Sequence, residues 1–392
     1  MQYPLLYSNL QNKTQGTDIC ILTVAFLCII LQKNPLTHTG QSGIIGNHTP
    51  NRVEKENEKM KKLIALICAA LMVLGMTACT PEQNNDPTND TNKSEVTNDK
   101  FVIGICQYMP HPALDKATEG FIAAVEEGLG KDNVVIDRQD AAGEASNCTT
   151  IVNGFVASKV DLIMANATPA VAAAYNATET IPILGTSVTE YGVALGIENF
   201  SGTVGENVSG TSDLADLSKQ AQMILDWCPD AKNVALLYCS AEANSKYQIE
   251  KVGEYLTGKG LTCKEFAFAD TSDLMSVTQE AVSFADVIYV PTDNTVANNA
   301  TAIDSVCRPA GVPIIAGEAS TCAGCGIATM SIDYYDLGYT TGMMAVRILK
   351  DGEDITKMPI EYAPEVSYLY NEEICKELNI TPLDGYEKLA TE

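Results

Sequence analysis

Residues 101–107 read FVIGICQ, and residues 112–129 read PALDKATEGFIAAVEEGL. The first stretch is short, apolar and β-branched, as a strand buried on both faces is. The second puts Leu114, Ala117, Phe121, Ala124 and Val125 on one side at helical spacing. The pair is a strand–helix unit, and it repeats. Residues 133–136 read as a strand and 146–158 as a helix begun by a serine, with Ile151, Val152, Phe155 and Val156 on its buried side. A strand at 161–165, a helix at 168–178 and a strand at 181–185 continue the series. Such a run implies a parallel sheet covered by helices on both faces.

The rhythm breaks over residues 191–211, where Gly192, Gly196, Gly202, Gly205 and Gly210 interrupt the apolar residues and predict a crossover to a second domain. Alternation then resumes: helices at 213–227, 243–258, 273–284 and 294–307, with strands at 233–238, 262–268, 286–290 and 312–316. A second crossover is expected near 326–333, followed by a long helix over 335–350 and a last strand and helix within 366–378. Strands recurring at this spacing suit βαβ crossovers. The expected fold is α/β: two doubly wound parallel-sheet, Rossmann-like lobes joined by a hinge. Residues 101–208 with about 327–352 form lobe I, and 209–326 with about 353–392 form lobe II.

Ahead of this body, Met60-Lys61-Lys62, an apolar run over 63–76 and Thr77-Ala78-Cys79 have the layout of a bacterial lipoprotein signal. The run is short for a membrane span. Cleavage before Cys79 would leave its thiol as the lipid-attachment site, with residues 60–78 as the signal peptide. Residues 1–59 then read as upstream of the true start, and 79–100, rich in Asn, Asp, Thr, Pro and Glu, as a disordered tether.

The chain carries 25 Lys and Arg against 50 Asp and Glu. Setting aside the seven basic and four acidic residues before Thr80 leaves 18 against 46. So acidic a body excludes nucleic acid as a partner and electrostatic docking on anionic lipid, leaving the lipid anchor as the contact with the membrane. Of the thirteen cysteines, most after Cys79 are scattered singly in apolar runs, as buried thiols are. Cys322 and Cys325 are the one close pair, open to a redox or metal reading. No second pair stands at metal-site spacing, and His111 is the sole histidine beyond Cys79. No metal or cofactor is expected. Phosphate-loop, serine-elbow and zinc-helix motifs are absent, and a triad would have to use His111 between two prolines, so no enzyme is expected.

Ligands of parallel α/β sheets gather at the carboxyl ends of strands and at helix N-termini. Those turns here are 107–112 (QYMPHP), 165–169 (ANATP), 185–189 (GTSVT), 238–245 (YCSAEANS), 291–295 (PTDNT) and 317–320 (GEAS). Hydroxyls, amides, acids and nearby tyrosines suit a zwitterion with an apolar or ring body. Each piece also has a structural reading: Thr168-Pro169 as a helix start, Glu242 with Asn244-Ser245 as capping residues, Asp293-Asn294 as a turn plus cap, His111 as packing between two prolines, and Tyr334 and Tyr335 as filling a hydrophobic seam.

Taken in order, Gln107, His111-Pro112-Ala113-Leu114-Asp115, Gly120-Phe121, Asp161-Leu162-Ile163, Ala167-Thr168-Pro169-Ala170, Glu242-Ala243-Asn244-Ser245, residues 291–296 (PTDNTV) and residues 333–338 (DYYDLG) form a pattern. Over about residues 100–378 the chain resembles the ABC-transporter substrate-binding lipoproteins that include tryptophan- and tyrosine-binding proteins of Gram-positive bacteria. The resemblance implies lobes of the class I periplasmic binding protein type closing on a small solute, an aromatic or related amino acid, and delivery to a permease driven by a separate ATPase. A ligand-sensing ectodomain of the same fold is the alternative. It further implies contacts from Gln107, Tyr108, Thr168, Thr186 and Ser187 in the first lobe and from Glu242, Asn244, Ser245, Asp293 and Asn294 in the second. His111, Pro169, Glu318 and Asp333, in the same turns and motifs, complete the candidate ligand-binding set.

Overall fold

The computed structural model describes residues 100–390. The expected leader, Cys79 and the tether up to residue 99 lie outside them. Strands β1 (Phe101–Gln107), β2 (Val134–Asp140), β3 (Leu162–Asn166), β4 (Ile183–Val188), β5 (Val208–Ser212) and β11 (Glu361–Tyr362) build the first sheet, in the order β11-β5-β4-β3-β1-β2. Its strand pairs are parallel. The second sheet takes β6 (Asn233–Cys239), β7 (Thr262–Phe268), β8 (Val287–Val290), β9 (Ile314–Ala316), β10 (Ala328–Ile332), β12 (Val366–Tyr370) and β13 (Glu387–Lys388), in the order β13-β12-β10-β9-β8-β6-β7.

Helices α1 (Pro112–Leu129), α2 (Ala145–Ser158), α3 (Thr168–Ala177) and α4 (Tyr191–Leu195) belong to the first lobe. Helices α5 (Leu217–Trp227), α6 (Ala243–Gly258), α7 (Leu274–Phe284), α8 (Asn294–Asn298), α9 (Ala300–Ala310) and α10 (Ala319–Cys325) cover the second sheet. The α11 helix (Tyr334–Leu349) returns to the first lobe, and α12 (Glu372–Glu377) lies in the second. In both sheets the strand order reverses beside the first strand, at β1/β3 and at β6/β8. Such switch points leave a crevice outside the strand ends.

Several expectations shift. The glycine-rich segment is no crossover: it ends in β5, still in the first sheet, and the chain passes over after Ser212. Gly196, Gly202 and Gly205 stand in open space at positive φ, whereas Gly210 answers to packing. A Cβ on Gly210 would lie 2.0 Å from the Gly185 carbonyl oxygen, and one on Gly185 would lie 2.4 Å from the Tyr191 hydroxyl, which donates to the Thr211 carbonyl at 3.1 Å. The second crossover comes after β10, which pairs with β9 in the second sheet rather than joining lobe I. Residues 355–362, expected in lobe II, remain with the first sheet through β11 pairing to β5. One pairing is antiparallel, β10 with β12, because β12 re-enters the sheet directly from the other lobe without a βα crossover. The predicted helix 294–307 is two helices broken at Asn299, and α10, too short and glycine-containing to show a period, was not legible.

The α1 and α11 helices meet backbone to backbone. A Cβ on Gly338 would sit 1.9 Å from the Ala117 carbonyl oxygen, and one on Gly120 would sit 2.0 Å from that of Tyr335. This contact seats the start of α11, with Tyr334 and Leu337, against the start of α1, with Ala113 and Ala117.

Candidate functional site

Between the lobes, at the carboxyl ends of the strands, lies a cleft lined by His111, Leu114, Ser187, Thr189, Asp213 and Tyr334, and across from them by Asn244, Thr292, Asp293, Asn294, Ala297 and Glu318. The free space is about 10 Å³, room for one water-sized centre, so a larger solute enters only when the lobes part. Across the cleft His111 Nε2 lies 3.1 Å from Asn294 Oδ1.

The first lobe builds its face under strain. Ser187 has φ 54° and Ala167 φ 89°, positive values that residues with a Cβ rarely adopt, at the adjacent ends of β4 and β3. Such geometry costs about 1–3 kcal/mol per residue and persists where packing over-determines it. Here the Ala167 amide donates to the Thr186 carbonyl at 3.0 Å, and β4 changes register against β5 between Gly185 and Val188. The bulge turns Ser187 to the cleft.

Four buried polar atoms without a hydrogen-bond partner converge here: His111 Nδ1, Ser187 Oγ, Asp213 Oδ1 and Asn244 Oδ1. Buried polar atoms are ordinarily paired, so a cluster of unpaired ones in a single cleft marks a place where a ligand completes the bonding. Asp213 stands at the crossing after β5; its other oxygen accepts from the Tyr334 hydroxyl at 3.0 Å. Burial pushes the Asp213 carboxyl up to about 6, with the Glu318 carboxylate adding to the rise, against bonds from Thr189 and Tyr334 that favour the charged form.

The other acids are engaged within the protein. Glu242 accepts from the backbone and side chain of Asn294 (3.1 and 2.6 Å) and of Thr295 (2.9 and 2.8 Å). It thereby caps α8 from the start of α6. Asp293 takes the Cys239 amide at 2.7 Å and the Val296 amide at 2.8 Å; burial, then the neighbouring Glu242, push its carboxyl well up. Glu318 caps α10 through the amides of Ser320 (2.6 Å) and Thr321 (2.5 Å), and Asp333 caps α11 through those of Tyr335 (2.8 Å) and Asp336 (3.1 Å).

Of the candidates read from sequence, the cleft gathers His111, Ser187, Asn244, Asp293, Asn294 and Glu318. It does not gather the rest. Gln107 is a strut: it donates to Met109 O (3.0 Å) and Asp115 (2.8 Å) and accepts from Thr118 (2.7 Å) and Arg138 (3.1 Å). Tyr108 is buried in the first-lobe core, where desolvation raises its phenol. Thr168 and Pro169 start α3 away from the lining, and Thr186 faces Thr211 at 3.2 Å. Ser245 is buried behind Asn244, and Glu242 stands one layer back. Sequence reading missed Asp213 because it stands just after a crossover expected earlier in the chain, and it read Tyr334 as filling a hydrophobic seam; Thr189 and Thr292 were in the quoted turns.

Cys322 and Cys325 donate to carbonyls of their own segment, Gly326 at 3.5 Å and Thr321 at 3.4 Å. Burial raises both thiols well above the ordinary range. Among the described residues no group of His, Cys, Asp or Glu is arranged to hold a metal.

Residues 102–392 match the family described as ABC transporter substrate binding protein. The chain belongs to that family. Its members are transport proteins rather than enzymes. This substrate-binding protein is 35% identical over 331 residues, 83% of this chain and 95% of the relative, to the tyrosine-binding protein of Clostridioides difficile strain R20291. Among solved structures, it resembles the ABC domain in complex with L-Trp from Streptococcus pneumonia, at 31% identity and a TM-score of 0.70, over 74% of this chain and 99% of the other. It also resembles the ligand-free, open structure of a substrate binding protein with adhesive properties from Clostridium difficile, at 34% identity and a TM-score of 0.59, over 74% and 100%. Thus the superposition is closer on the L-Trp complex although the identity to the open structure is higher.

Proposed function

We propose that the chain is the lipid-anchored, extracytoplasmic solute receptor of an ABC importer, that it closes on an aromatic amino acid between its lobes, and that it delivers this solute to a permease driven by a separate ATPase. The observation that carries the reading is the convergence of four unpaired buried polar atoms, from both lobes and a crossover, on one cleft. A ligand touching both faces favours closure by the difference in its affinity for the closed and open forms. The tight cleft and the closer superposition on an L-Trp complex support a closed arrangement here. The names of two relatives support the ligand class: one is a tyrosine-binding protein, the other holds L-Trp. Attachment is assigned to Cys79 because the basic start, the short apolar run over 63–76 and Thr77-Ala78 lead directly to it.

A thermal-shift screen of the amino acids tests this, since a ligand bound only by the native state raises its melting temperature once its concentration exceeds the dissociation constant. Shifts confined to tyrosine, tryptophan or phenylalanine are expected; shifts only with another solute class would remove the ligand assignment and leave the family. For the anchor, Cys79→Ala should move the protein from the membrane to the soluble fraction.

A further inference from the structure

We infer that the cleft selects for a protonated amine, through three bare acceptors contributed by Asp213, Asn244 and His111, the last held in one tautomer by a relay from Glu242 through Asn294. The inference rests on the reading of the interlobe cleft as the ligand site.

The relay follows from donor and acceptor chemistry. An ionised carboxylate only accepts, so the Asn294 amide, bonded to Glu242 at 2.6 Å, presents its nitrogen there and its oxygen on the opposite side. That oxygen lies 3.1 Å from His111 Nε2. Two acceptors cannot bond to each other, so Nε2 carries the hydrogen. In the neutral ring Nδ1 is then a bare lone pair, and it is the buried unpaired atom at the cleft.

The same logic fixes Asn244. Its amide nitrogen faces the Thr292 carbonyl at 3.1 Å and Glu242 at 3.3 Å, which leaves Oδ1 as the unpaired atom. Asp213 has one oxygen on Tyr334 and the other unpaired. These atoms accept and none can donate. No Lys or Arg lines the cleft, whereas Asp213 and Glu318 do. The complementary group carries several N–H donors and a positive charge, and an alkylammonium has three such donors. A ligand's own carboxylate is left to the Ser187 hydroxyl, a neutral donor that holds it less firmly.

Calorimetry on the wild-type protein separates the two ends of the ligand. Tyrosine and tryptophan are compared with tyramine and tryptamine, which lack the carboxylate, and with 3-(4-hydroxyphenyl)propionate and indole-3-propionate, which lack the amine. Loss of the amine should weaken binding at least about 100-fold, because the buried acceptors stay unpaired, and loss of the carboxylate by about tenfold or less. Equal binding of the des-amino acids overturns the inference while leaving the cleft as the site. Failure of every aromatic compound, with amine-dependent binding of another solute, keeps the inference and removes the aromatic assignment. Failure of all amines counts against both.

A second readout needs no variant of the site to bind ligand. Nitrogen-15 spectra of the imidazoles, with the His111 signals assigned by their loss in His111→Gln, should show the Nε2–H tautomer and a change at Nδ1 on adding the amino acid. An Nδ1–H tautomer would overturn the relay.

Discussion

The two faces of the cleft have similar residues and, Asn244 apart, opposite states. In the second lobe Glu242, Asp293 and Glu318 all stand at helix starts, and each spends its oxygens on backbone amides, those of α8 or α10 and, for one oxygen of Asp293, that of Cys239 at the end of β6. On the opposite face His111, Ser187 and Asp213 keep an atom unpaired although each is buried. An acid at the end of a strand is therefore not by itself a ligand contact. What matters is whether a nearby helix start has already taken its lone pairs, a property of three-dimensional neighbours. The second lobe's acids hold it rigid, and the first lobe with its crossover stays chemically unsatisfied until something enters.

The largest effect that tests this contrast is expected from Glu242→Ala. Four donors from Asn294 and Thr295 would lose their acceptor together, and the start of α8 would lose its cap. Stability should fall by about 3–5 kcal/mol, read by denaturant unfolding, since each buried donor left unpaired costs about 1–3 kcal/mol and some regain water. Unchanged stability with binding abolished would make Glu242 a ligand contact after all and erase the contrast.

Asp213→Asn should act in the opposite sense. In the unfolded chain this carboxyl titrates near 3.8 and in the folded protein near 6. Between those values the native state holds the extra proton, so this group's contribution to stability falls as pH rises through the window and its cost is complete above about pH 6. The neutral amide removes that cost, which at 1.36 kcal/mol per unit comes to about 1–3 kcal/mol. The ligand-free variant should melt higher than wild type at pH 7.5 and no higher at pH 4, while its affinity for the amino acid drops. In the wild type, affinity should decline as pH falls below about 6, where Asp213 takes a proton in competition with the ligand's ammonium. The groups facing it are Tyr191, Thr189, Tyr334 and Glu318. A variant that melts lower at pH 7.5 would mean that Asp213 is structural, as the second lobe's acids are.

The fold was largely legible because its signal is local: FVIGICQ followed by an amphipathic stretch declares a strand–helix unit, and repetition declares the sheet. Crossovers were less legible. The glycines of 191–211 look like a hinge, yet Gly185 and Gly210 serve a close approach of two strands beside Tyr191, a contact between residues 25 apart in sequence. That displaced crossover concealed Asp213, whereas Tyr334 was read as filling a hydrophobic seam because a tyrosine at a helix start shows its type but not its partner. For the strand-end turns the sequence shows residue type but not bonding state, which is why Ser187 and Glu242 looked equally eligible.

Ser187→Gly asks how much of the first lobe's strain serves the cleft. Glycine adopts φ 54° without a Cβ penalty, and the substitution removes an unpaired buried hydroxyl, while glycine's extra freedom in the unfolded chain offsets about 0.5–1 kcal/mol. Stability should therefore change by less than about 1 kcal/mol, and affinity should fall about tenfold, the value of one hydrogen bond to a charged group. If affinity is unchanged, the strained turn positions something other than Ser187 and the first lobe's face is less committed to ligand than its unpaired atoms suggest.

Thr168→Ala should do least, and for that reason it discriminates between the two ways of reading this chain. By its place in the family's pattern Thr168 is a ligand contact, at the N-terminus of a helix that follows a strand end. By geometry it begins α3 beside the strained Ala167 and is absent from the lining, with Ser187 from the adjacent strand occupying the face instead. The geometric reading predicts an affinity within about twofold of wild type and a modest loss of stability, about 0.5–1 kcal/mol, from trimming a buried side chain at a helix start. A tenfold loss of affinity at unchanged stability would require the open and closed forms to present different residues at the end of β3. Thr168 would then meet the solute before closure and Ser187 after it.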